Sequence, residues 1–130
     1  MHTEHADGAG LNDLSGRVIG CAFTVLNTLG AGFLEKVYEN ALAFELRAAG
    51  LSVVQQCAAK VHYKEFLVDE YFVDQLVEDV LLVELKTVKA LEDVHRMQCT
   101  NYLKASGLRL CLLLNFGNSR LEIKRVVNGL

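Results

Sequence analysis

The sequence lacks several patterns that mark specialised classes of protein. Its four cysteines, Cys21, Cys57, Cys99 and Cys111, form no C-x-x-C pair, and each lies among apolar residues. This arrangement favours four reduced thiols in the core over a zinc or iron–sulfur site. No apolar run reaches the roughly 18 residues that cross a bilayer, and the first residues lack the basic-then-apolar pattern of a signal peptide. A cytoplasmic location is therefore the expectation.

Positive charge is also scarce. The chain has 13 lysines and arginines against 16 acidic residues, a formal net charge of −3, which counts against a protein that simply coats nucleic acid. It counts less against an enzyme whose acidic residues cluster to hold cations. The length of 130 residues, with 52% hydrophobic and 22% charged residues, is typical of one globular domain. We place this domain at residues 12–130, after a flexible N-terminus at residues 1–11.

The hydrophobic pattern predicts helices first and strands afterwards. From Asn12, a predicted helix cap, apolar residues recur at spacings of three and four as far as Gly30. The later predicted elements are a helix over 34–49, three or four strands within 51–88 with turns at 64–65 and 78–79, a helix over 91–107, and strands over 108–117 and 121–127. The order α-α-β-β-β-α-β-β predicts an α/β (α+β) fold, in which helices flank a central sheet.

The stretch VLLVELKTV, residues 80–88, resembles a buried strand but contains two charged residues, Glu84 and Lys86. Because side chains alternate between the two faces of a strand, these two point to the same face. Ionised groups are rarely buried unless they are paired or hold a metal. One interpretation is a weak ion pair on a half-exposed sheet, and the other is a functional site.

Asp74, in YFVDQLV, is another acidic residue within a hydrophobic strand. If this strand and the next form an antiparallel hairpin, the length of the connection sets which residues face each other. A connection of three residues pairs Val77 with Leu81 and places Asp74 directly opposite Glu84. A connection of two residues would put Glu84 on the other face.

In the three-residue register, two carboxylates have Cβ atoms about 4.5–5.5 Å apart. They repel each other unless a cation, a proton or a lysine compensates. Carboxylate oxygens beside a backbone carbonyl suit Mg²⁺, which keeps several of its waters. Lys86, one step further along the same face, is placed to orient or help deprotonate an attacking water and to offset developing phosphoryl charge.

Two further segments contain polar residues that converge with this set. Glu35, in GAGFLEKVYENAL, lies in the first turn of the second helix, where the helix dipole alone favours a carboxylate. In HRMQCTNY, His95, Gln98 or Cys99, and Tyr102 share one helical face. Gln98 and Tyr102 are polar groups on the sheet-facing side, where they need hydrogen-bond partners. Those partners could belong to a functional site or to ordinary hydrogen bonds within the core. We interpret His95 as a helix-end or surface residue.

These residues together resemble a known family. The spacing of Asp74, Glu84 and Lys86 resembles the core motif of the PD-(D/E)XK nuclease superfamily. QCTNY, residues 98–102, is similar to the Q-x-x-x-Y motif of its RecB-like branch. GFLEKVY, residues 32–38, is similar to the signature of the small GxxExxY family, and LLLNFG resembles that family's closing strand. The likeness runs from about residue 12 to residue 128.

The resemblance implies a restriction-endonuclease-like core with a mixed sheet. It also implies a Mg²⁺- or Mn²⁺-dependent nuclease that hydrolyses phosphodiester bonds, with DNA as the expected nucleic acid. The resemblance implies that Asp74, Glu84 and the backbone carbonyl of Leu85 bind the metal, and that Glu35 adds a carboxylate directly or through a water. Lys86 would position the nucleophilic water. Gln98 and Tyr102 would brace the metal site or the scissile phosphate.

The chain departs from the family pattern in small ways. Val73 stands where a proline often precedes the first acid, and the chain has no proline at all. The cluster-binding cysteines of some relatives are absent, so no iron–sulfur cluster is expected. The alternative function is a catalytically silent nuclease-fold module that binds nucleic acid or a protein partner. A core this small leaves little room for elements that grip DNA, and a homodimer that spans the substrate is one compatible arrangement.

Overall fold

A computed structural model describes residues 8–128 of the chain. Within this range the elements are α1 (Gly8–Leu29), α2 (Glu35–Ala48), β1 (Val53–Tyr63), β2 (Phe66–Val77), β3 (Leu81–Lys86), α3 (Asp93–Ser106), β4 (Leu110–Asn115) and β5 (Glu122–Val127). The order of elements is the predicted one, and the region 51–88 forms three strands. None of the helices in this range is long and apolar enough to cross a membrane.

The predicted start of α1 at Asn12 is wrong, because the helix already includes Gly8. Leu11 is buried in the same cluster as Leu14, so the apolar stripe extends one turn further than the pattern indicated. The side chain of Asn12 does not cap the helix; its Oδ1 accepts a hydrogen bond of 2.8 Å from Arg125. The predicted flexible segment therefore overlaps the helix at residues 8–11, and its residues 1–7 lie outside the described range.

The five strands form one mixed sheet in the order β1-β2-β3-β4-β5. Neighbouring strands are antiparallel except β3 and β4, which are parallel. A parallel pair needs a crossover connection, and α3 supplies it. The mixed sheet flanked by helices that was predicted from the sequence is confirmed.

Each face of the sheet has its own hydrophobic core. On one face, α1 and α2 pack against alternate residues of β3 and β4, including Leu81, Val83 and Leu112. On the other face, α3 packs through Cys99, Tyr102 and Leu103 against the intervening residues of the same strands. The two central strands are thus buried on both faces, as the apolar residues that dominate their sequences indicated.

The outer halves of β1 and β2 extend beyond the rest of the sheet. Strand β3 pairs only with residues 75–77 of β2, so residues 57–73 form a two-stranded hairpin that we call the arm. Exposed apolar side chains are concentrated near its end, at Tyr63, Phe66, Leu67 and Val68, and Phe72 is exposed near its base. The inner part of the arm, including Ala59 and Tyr71, packs against α3, whereas residues 62–70 are exposed.

Candidate active site

The register of the β2–β3 hairpin is the one that a three-residue connection predicts. Val77 pairs with Leu81, and the ladder continues inward to Gln75 opposite Val83. Both Glu78 and Asp79 have positive φ angles, of 53° and 60°, and so reverse the chain within a short connection. The next residues inward along this register are Asp74 and Glu84.

At Asp74 and Glu84 the backbone ladder ends and the two side chains take its place. The backbone N–H of Asp74 donates a hydrogen bond of 3.1 Å to Oε1 of Glu84. In return, the backbone N–H of Leu85 donates one of 2.8 Å to Oδ2 of Asp74. Each strand thus satisfies an N–H of the other with a carboxylate, and the strands part just enough to admit both side chains.

The two carboxylates are buried, with relative exposures of 8% for Asp74 and 4% for Glu84. Burial is the main cause that raises the pKa of each, and the Asp74 charge is the second cause for Glu84. The pKa of Glu84 rises to about 8. The pair therefore holds a proton at neutral pH unless a cation replaces it.

Lys86 is the cation nearest to Glu84 among the described residues. Its Nζ lies 3.7 Å from Oε2 of Glu84, and its side chain is 17% exposed. The expected ion pair of Glu84 and Lys86 is present, but the expectation that it lies on a half-exposed sheet is wrong, because Glu84 is nearly inaccessible. Lys86 lowers the pKa of Glu84, but burial and Asp74 outweigh it.

Glu35 reaches the same place from α2, which begins at this residue. The backbone N–H of Thr87 donates a hydrogen bond to its carboxylate, so Glu35 contacts the chain just after Lys86. Burial raises the pKa of Glu35, and the nearby Asp74 raises it further, whereas Lys86 lowers it. The structure therefore brings Glu35 together with the three residues of the hairpin.

Helix α3 contributes Tyr102 to the site but not His95. The hydroxyl of Tyr102 donates to Oε2 of Glu84 at 3.5 Å. Gln98 lies one turn earlier and is half-buried, but within residues 8–128 its side chain forms no hydrogen bond. His95 belongs to the capping box of α3. Its Nδ1 accepts a hydrogen bond from the backbone N–H of Glu92, and the Glu92 side chain accepts one from the backbone N–H of His95. The interpretation of His95 as a helix-end residue is confirmed.

Two site residues were missed by sequence reasoning. Glu39, one turn after Glu35, is 3% exposed, and Gln56 lies on β1 opposite Asp74. Nε2 of Gln56 donates to Oε1 of Glu39 at 3.1 Å and to Oδ1 of Asp74 at 3.2 Å. Gln56 therefore links Glu39, a third buried carboxylate, to the site. The available signals were the i, i+4 spacing of the two glutamates and the polar pair QQ in a strand.

Gln56 occupies a special backbone position. Its φ is +54°, a left-handed conformation that is rare within a strand. Val53 packs into the core beneath α1 and α2, whereas Ala59, an even number of residues later, packs beneath α3. Regular alternation would put both on one face, so the strand turns over at Gln56. The same turn directs the Gln56 side chain at Asp74 and Glu39.

The segment after Lys86 is fixed by residues that come later in the chain. The Asn115 side chain accepts from the N–H of Val88 at 3.0 Å and donates to its carbonyl at 2.9 Å. The carboxylate of Glu122 accepts from Asn115 and from the N–H of Leu91. Gly117 packs directly against the backbone of Val88. This arrangement gives LLLNFG a structural role in holding the segment that carries Thr87.

The donor set fits a hard divalent cation. Asp74, Glu84 and the carbonyl of Leu85 offer only oxygen, and Oε2 of Glu84 has only the two long contacts to Lys86 and Tyr102. No cluster of three or more His, Cys, Asp or Glu side chains suited to a metal occurs within residues 8–128. Two carboxylates with waters are nonetheless the usual protein share of a Mg²⁺ site.

The four cysteines form no disulfide and no common site. All four are free, with Cys99 and Cys111 buried and Cys21 and Cys57 partly exposed. The prediction that all four lie in the core holds fully only for Cys99 and Cys111.

A mixed sheet with helices on both faces, which parts to present acidic side chains beside a lysine, is the architecture of nucleases with the PD-(D/E)XK motif. Residues 12–126 match the family model described as the PD-(D/E)XK nuclease superfamily, and the chain belongs to this superfamily. No curated protein matches the chain.

Solved structures resemble the chain at low sequence identity. The crystal structure of SSO0001 is 14% identical with a TM-score of 0.56, and the match covers 73% of this chain and 50% of that one. The alkaline exonuclease LHK-Exo from Laribacter hongkongensis is 11% identical with a TM-score of 0.49, over 95% of this chain and 71% of that one. The chain thus spans half the length of SSO0001, and the first likeness supports the fold.

The raised pKa of Glu84 predicts how the metal-free protein responds to pH. Because its pKa rises from an ordinary value of 4.5 to about 8 on folding, protonation of Glu84 stabilises the folded state at low pH, and this contribution is lost as the pH rises through about 8. In EDTA, Tm should therefore fall by several degrees between pH 6 and pH 9. Stabilisation by added Mg²⁺ should increase over the same range, because the metal binds the deprotonated carboxylates.

Thermal unfolding of the wild type and of Glu84→Gln, with EDTA and with Mg²⁺, measures both effects. In Glu84→Gln, Tm should fall much less between pH 6 and pH 9, and added Mg²⁺ should raise Tm much less than it does in the wild type. A wild-type Tm in EDTA that rises from pH 6 to pH 9 would contradict the raised pKa.

Proposed function

We propose that this protein is a divalent-metal-dependent nuclease that hydrolyses phosphodiester bonds in DNA, with Asp74, Glu84 and Lys86 at the core of its site. Membership of the PD-(D/E)XK nuclease superfamily supports the reaction class. The observation that carries the proposal is the exchange of hydrogen bonds between the buried Asp74 and Glu84 across the parted strands, with Lys86 3.7 Å from Glu84. A sheet has no structural need for two facing acids in its interior.

The metal would be Mg²⁺ or Mn²⁺, held by Asp74, Glu84 and the carbonyl of Leu85. When bound, such a cation polarises the phosphoryl oxygens and lowers the pKa of a coordinated water. Glu35 adds negative charge next to this set and accepts a hydrogen bond from Thr87. These residues therefore concentrate negative charge at one edge of the site, where a cation is needed to bring a phosphate close.

The remaining residues orient the reacting groups. Lys86 places its ammonium group beside Glu84, where it holds the attacking water and offsets charge that develops on the phosphoryl oxygens. Tyr102 donates to Glu84 and fixes that side chain. Gln98, half-buried one turn away and with its amide unused, is assigned to the scissile phosphate.

We also propose that the chain belongs to the GxxExxY family and to the RecB-like branch. The signature residues have linked structural roles. The hydroxyl of Tyr38 donates to the carbonyl of Gly30 and accepts from the N–H of Phe33, and Gly32 has a φ of +116° that favours glycine. Tyr38 thus fixes the loop that leads directly into Glu35, which explains why one signature joins these residues.

The exposed arm supports a second candidate function. Its apolar end, with Phe66 71% and Tyr63 63% exposed, is a surface that a binding module would present to a protein partner. The intact set of buried acids favours the nuclease over this alternative. A homodimer, a cytoplasmic location and a single domain over residues 12–130 stay predictions.

The test of the proposed function is cleavage of labelled single- and double-stranded DNA with Mg²⁺, Mn²⁺ or EDTA. We expect the wild type to cleave with at least one of the two metals and not in EDTA, and Glu84→Ala to be inactive and to bind no metal by calorimetry. Glu84→Ala should remain folded by circular dichroism. Undiminished cleavage by that variant would refute the assignment, and a wild type that neither cleaves nor binds metal would favour the binding module.

A further inference from the structure

Gln56 on β1 donates two hydrogen bonds from a single atom. Its Nε2 lies 3.1 Å from Oε1 of Glu39 and 3.2 Å from Oδ1 of Asp74. An amide nitrogen carries two hydrogens, so each carboxylate receives one of them. Because two acids face the same end of the amide, its nitrogen rather than its oxygen must point toward them. Glu39 therefore selects the orientation in which Gln56 donates to Asp74.

The carboxylate of Asp74 is held at both of its oxygens. The backbone N–H of Leu85 donates to Oδ2 at 2.8 Å, and Gln56 donates to Oδ1. The torsion that rotates an aspartate carboxylate is broad, so one hydrogen bond alone would leave the plane of this group loosely defined. Each carboxylate oxygen has two acceptor positions, and one on each oxygen stays available for a metal. Gln56 and Leu85 together fix the directions of these remaining positions.

The neighbouring glutamine already makes the structural connection between β1 and α2. Nε2 of Gln55 donates to Oε2 of Glu39 at 2.8 Å and to Oδ1 of Asn40 at 2.9 Å. Gln56 is exposed, so water would satisfy its amide without any protein partner. What Gln56 adds to the connection made by Gln55 is the hydrogen bond to Asp74.

The backbone at Gln56 has an unfavourable conformation. Its φ of +54° lies in the left-handed region, which residues with a side chain rarely adopt. On either side of it the two strands pair regularly, with Gln55 opposite Gln75 and Cys57 opposite Val73. Strain of this kind is concentrated at functional sites, where the surrounding structure maintains it. A contact that serves the site accounts for strain at the residue opposite Asp74.

Glu39 is itself firmly placed on α2. Its side chain is buried, and Oε1 lies 3.1 Å from Nζ of Lys36. Its backbone carbonyl accepts a hydrogen bond of 2.8 Å from the buried side chain of Gln75 on β2. The helix that begins with Glu35 is thereby attached to the sheet at Glu39, which gives Gln56 a fixed partner.

We propose that Gln56 is a positioning residue for the metal site and that Glu39 acts through it. The two residues fix the carboxylate plane of Asp74 before a metal binds, so binding requires less ordering and the affinity for Mg²⁺ or Mn²⁺ is higher. Neither residue is assigned as a metal ligand or as a contact to the phosphate. The proposal rests on the proposed function, because it concerns the metal ligands of that same site.

The test measures metal binding separately from cleavage. Calorimetry gives the Kd of Mg²⁺ and of Mn²⁺ alone, and thermal unfolding in EDTA gives the stability of the metal-free protein. Cleavage rates against metal concentration give the half-saturating concentration and the saturated rate. Leucine at position 56 removes the amide at similar size, and asparagine keeps an amide that is one methylene too short to reach both acids.

The same two substitutions of Gln55 are the matched controls. Gln55 shares the strand, the residue type and the partner Glu39, but it donates to Asn40 where Gln56 donates to Asp74. Gln56→Leu and Gln56→Asn should weaken metal binding about tenfold and raise the half-saturating metal concentration by the same factor. Their rates at saturating metal should stay within about threefold of the wild type. The Gln55 variants should bind metal within about twofold of the wild type.

Substitutions of Glu39 test the link through Gln56. Glu39→Leu should weaken metal binding about fivefold in the wild type and by no more than about twofold in a Gln56→Leu background, because its effect passes through Gln56. Glu39→Gln keeps an acceptor oxygen for Gln56 and should bind metal more tightly than Glu39→Leu.

Wild-type metal affinity in both Gln56 variants would refute the positioning role, even if their Tm in EDTA fell. Equal losses of affinity at positions 55 and 56 would also refute it, and additive effects of Glu39→Leu and Gln56→Leu would refute the link. Metal affinity that depends on Gln56 in a protein that cleaves no DNA would retain the positioning role and refute the nuclease. DNA cleavage with Gln56 variants of unchanged affinity would do the reverse. A wild type that binds neither metal would refute both.

Discussion

Lys86→Ala is expected to lower the rate of metal-dependent cleavage about 100- to 1,000-fold while the protein stays folded and still binds metal. The ammonium group is the positive charge nearest to Glu84 in the described chain, and loss of one such group at a transition state typically costs this much. The fold should tolerate the change, because Glu84 has a pKa of about 8 and is mostly protonated at neutral pH without metal. A protonated Glu84 needs no positive charge beside it to be stable in the folded protein.

The measurement is single-turnover cleavage at saturating metal, together with calorimetric titration of Mg²⁺. Lys86→Ala should lose rate and keep metal binding, whereas Glu84→Ala should lose both. Lys89→Ala is the control, because Lys89 is exposed and lies just beyond the same strand. If Lys86→Ala cleaves at the wild-type rate, Lys86 has no part in the chemistry.

Gly117→Ala is expected to destabilise the fold by about 3 kcal/mol and to lower Tm by about 10 °C. A Cβ atom at this position would overlap the carbonyl oxygen of Val88 and lie 2.6 Å from its nitrogen. The obstacle is backbone, which cannot rotate away as a side chain would. Relief requires the segment after Lys86 to move, so activity should fall more than stability alone explains.

Gly20→Ala is the matched control for this effect. Gly20 lies within α1, and an added Cβ there meets nothing within 4 Å. Alanine is favoured over glycine in a helix by about 1 kcal/mol, so this variant should be slightly more stable and fully active. Thermal unfolding and cleavage rates of the two variants give the comparison. Equal stability of both would mean that the close contact at Gly117 is relaxed in solution.

The register of the hairpin was predictable because it depends on a single local quantity. The length of the connection between Val77 and Leu81 fixes which residues face each other, and the alternation of side chains fixes the face of the sheet to which each one points. For this reason Asp74 and Glu84 could be placed together from the sequence. Lys86 followed from the same alternation.

The link through Gln56 was not predictable in this way. It depends on a left-handed backbone angle at a residue type that gives no signal for one, and on how closely α2 approaches β1. Such tertiary arrangements leave no periodic pattern in the sequence. The role of Asn115 was hidden for the same reason: its partner Val88 lies 27 residues earlier, and only the parallel pairing of β3 and β4 brings them together.

The contacts that Asn115, Gly117 and Glu122 make also bear on biosynthesis. These residues hold the segment next to Lys86 and Glu35, yet they are translated long after those two. A nascent chain on the ribosome therefore has every acidic residue of the site before it has the parts that fix their geometry. With the proposed function, the site is therefore completed only after β4 and β5 have been translated, and a nascent chain that stops before them is not competent to cleave nucleic acid.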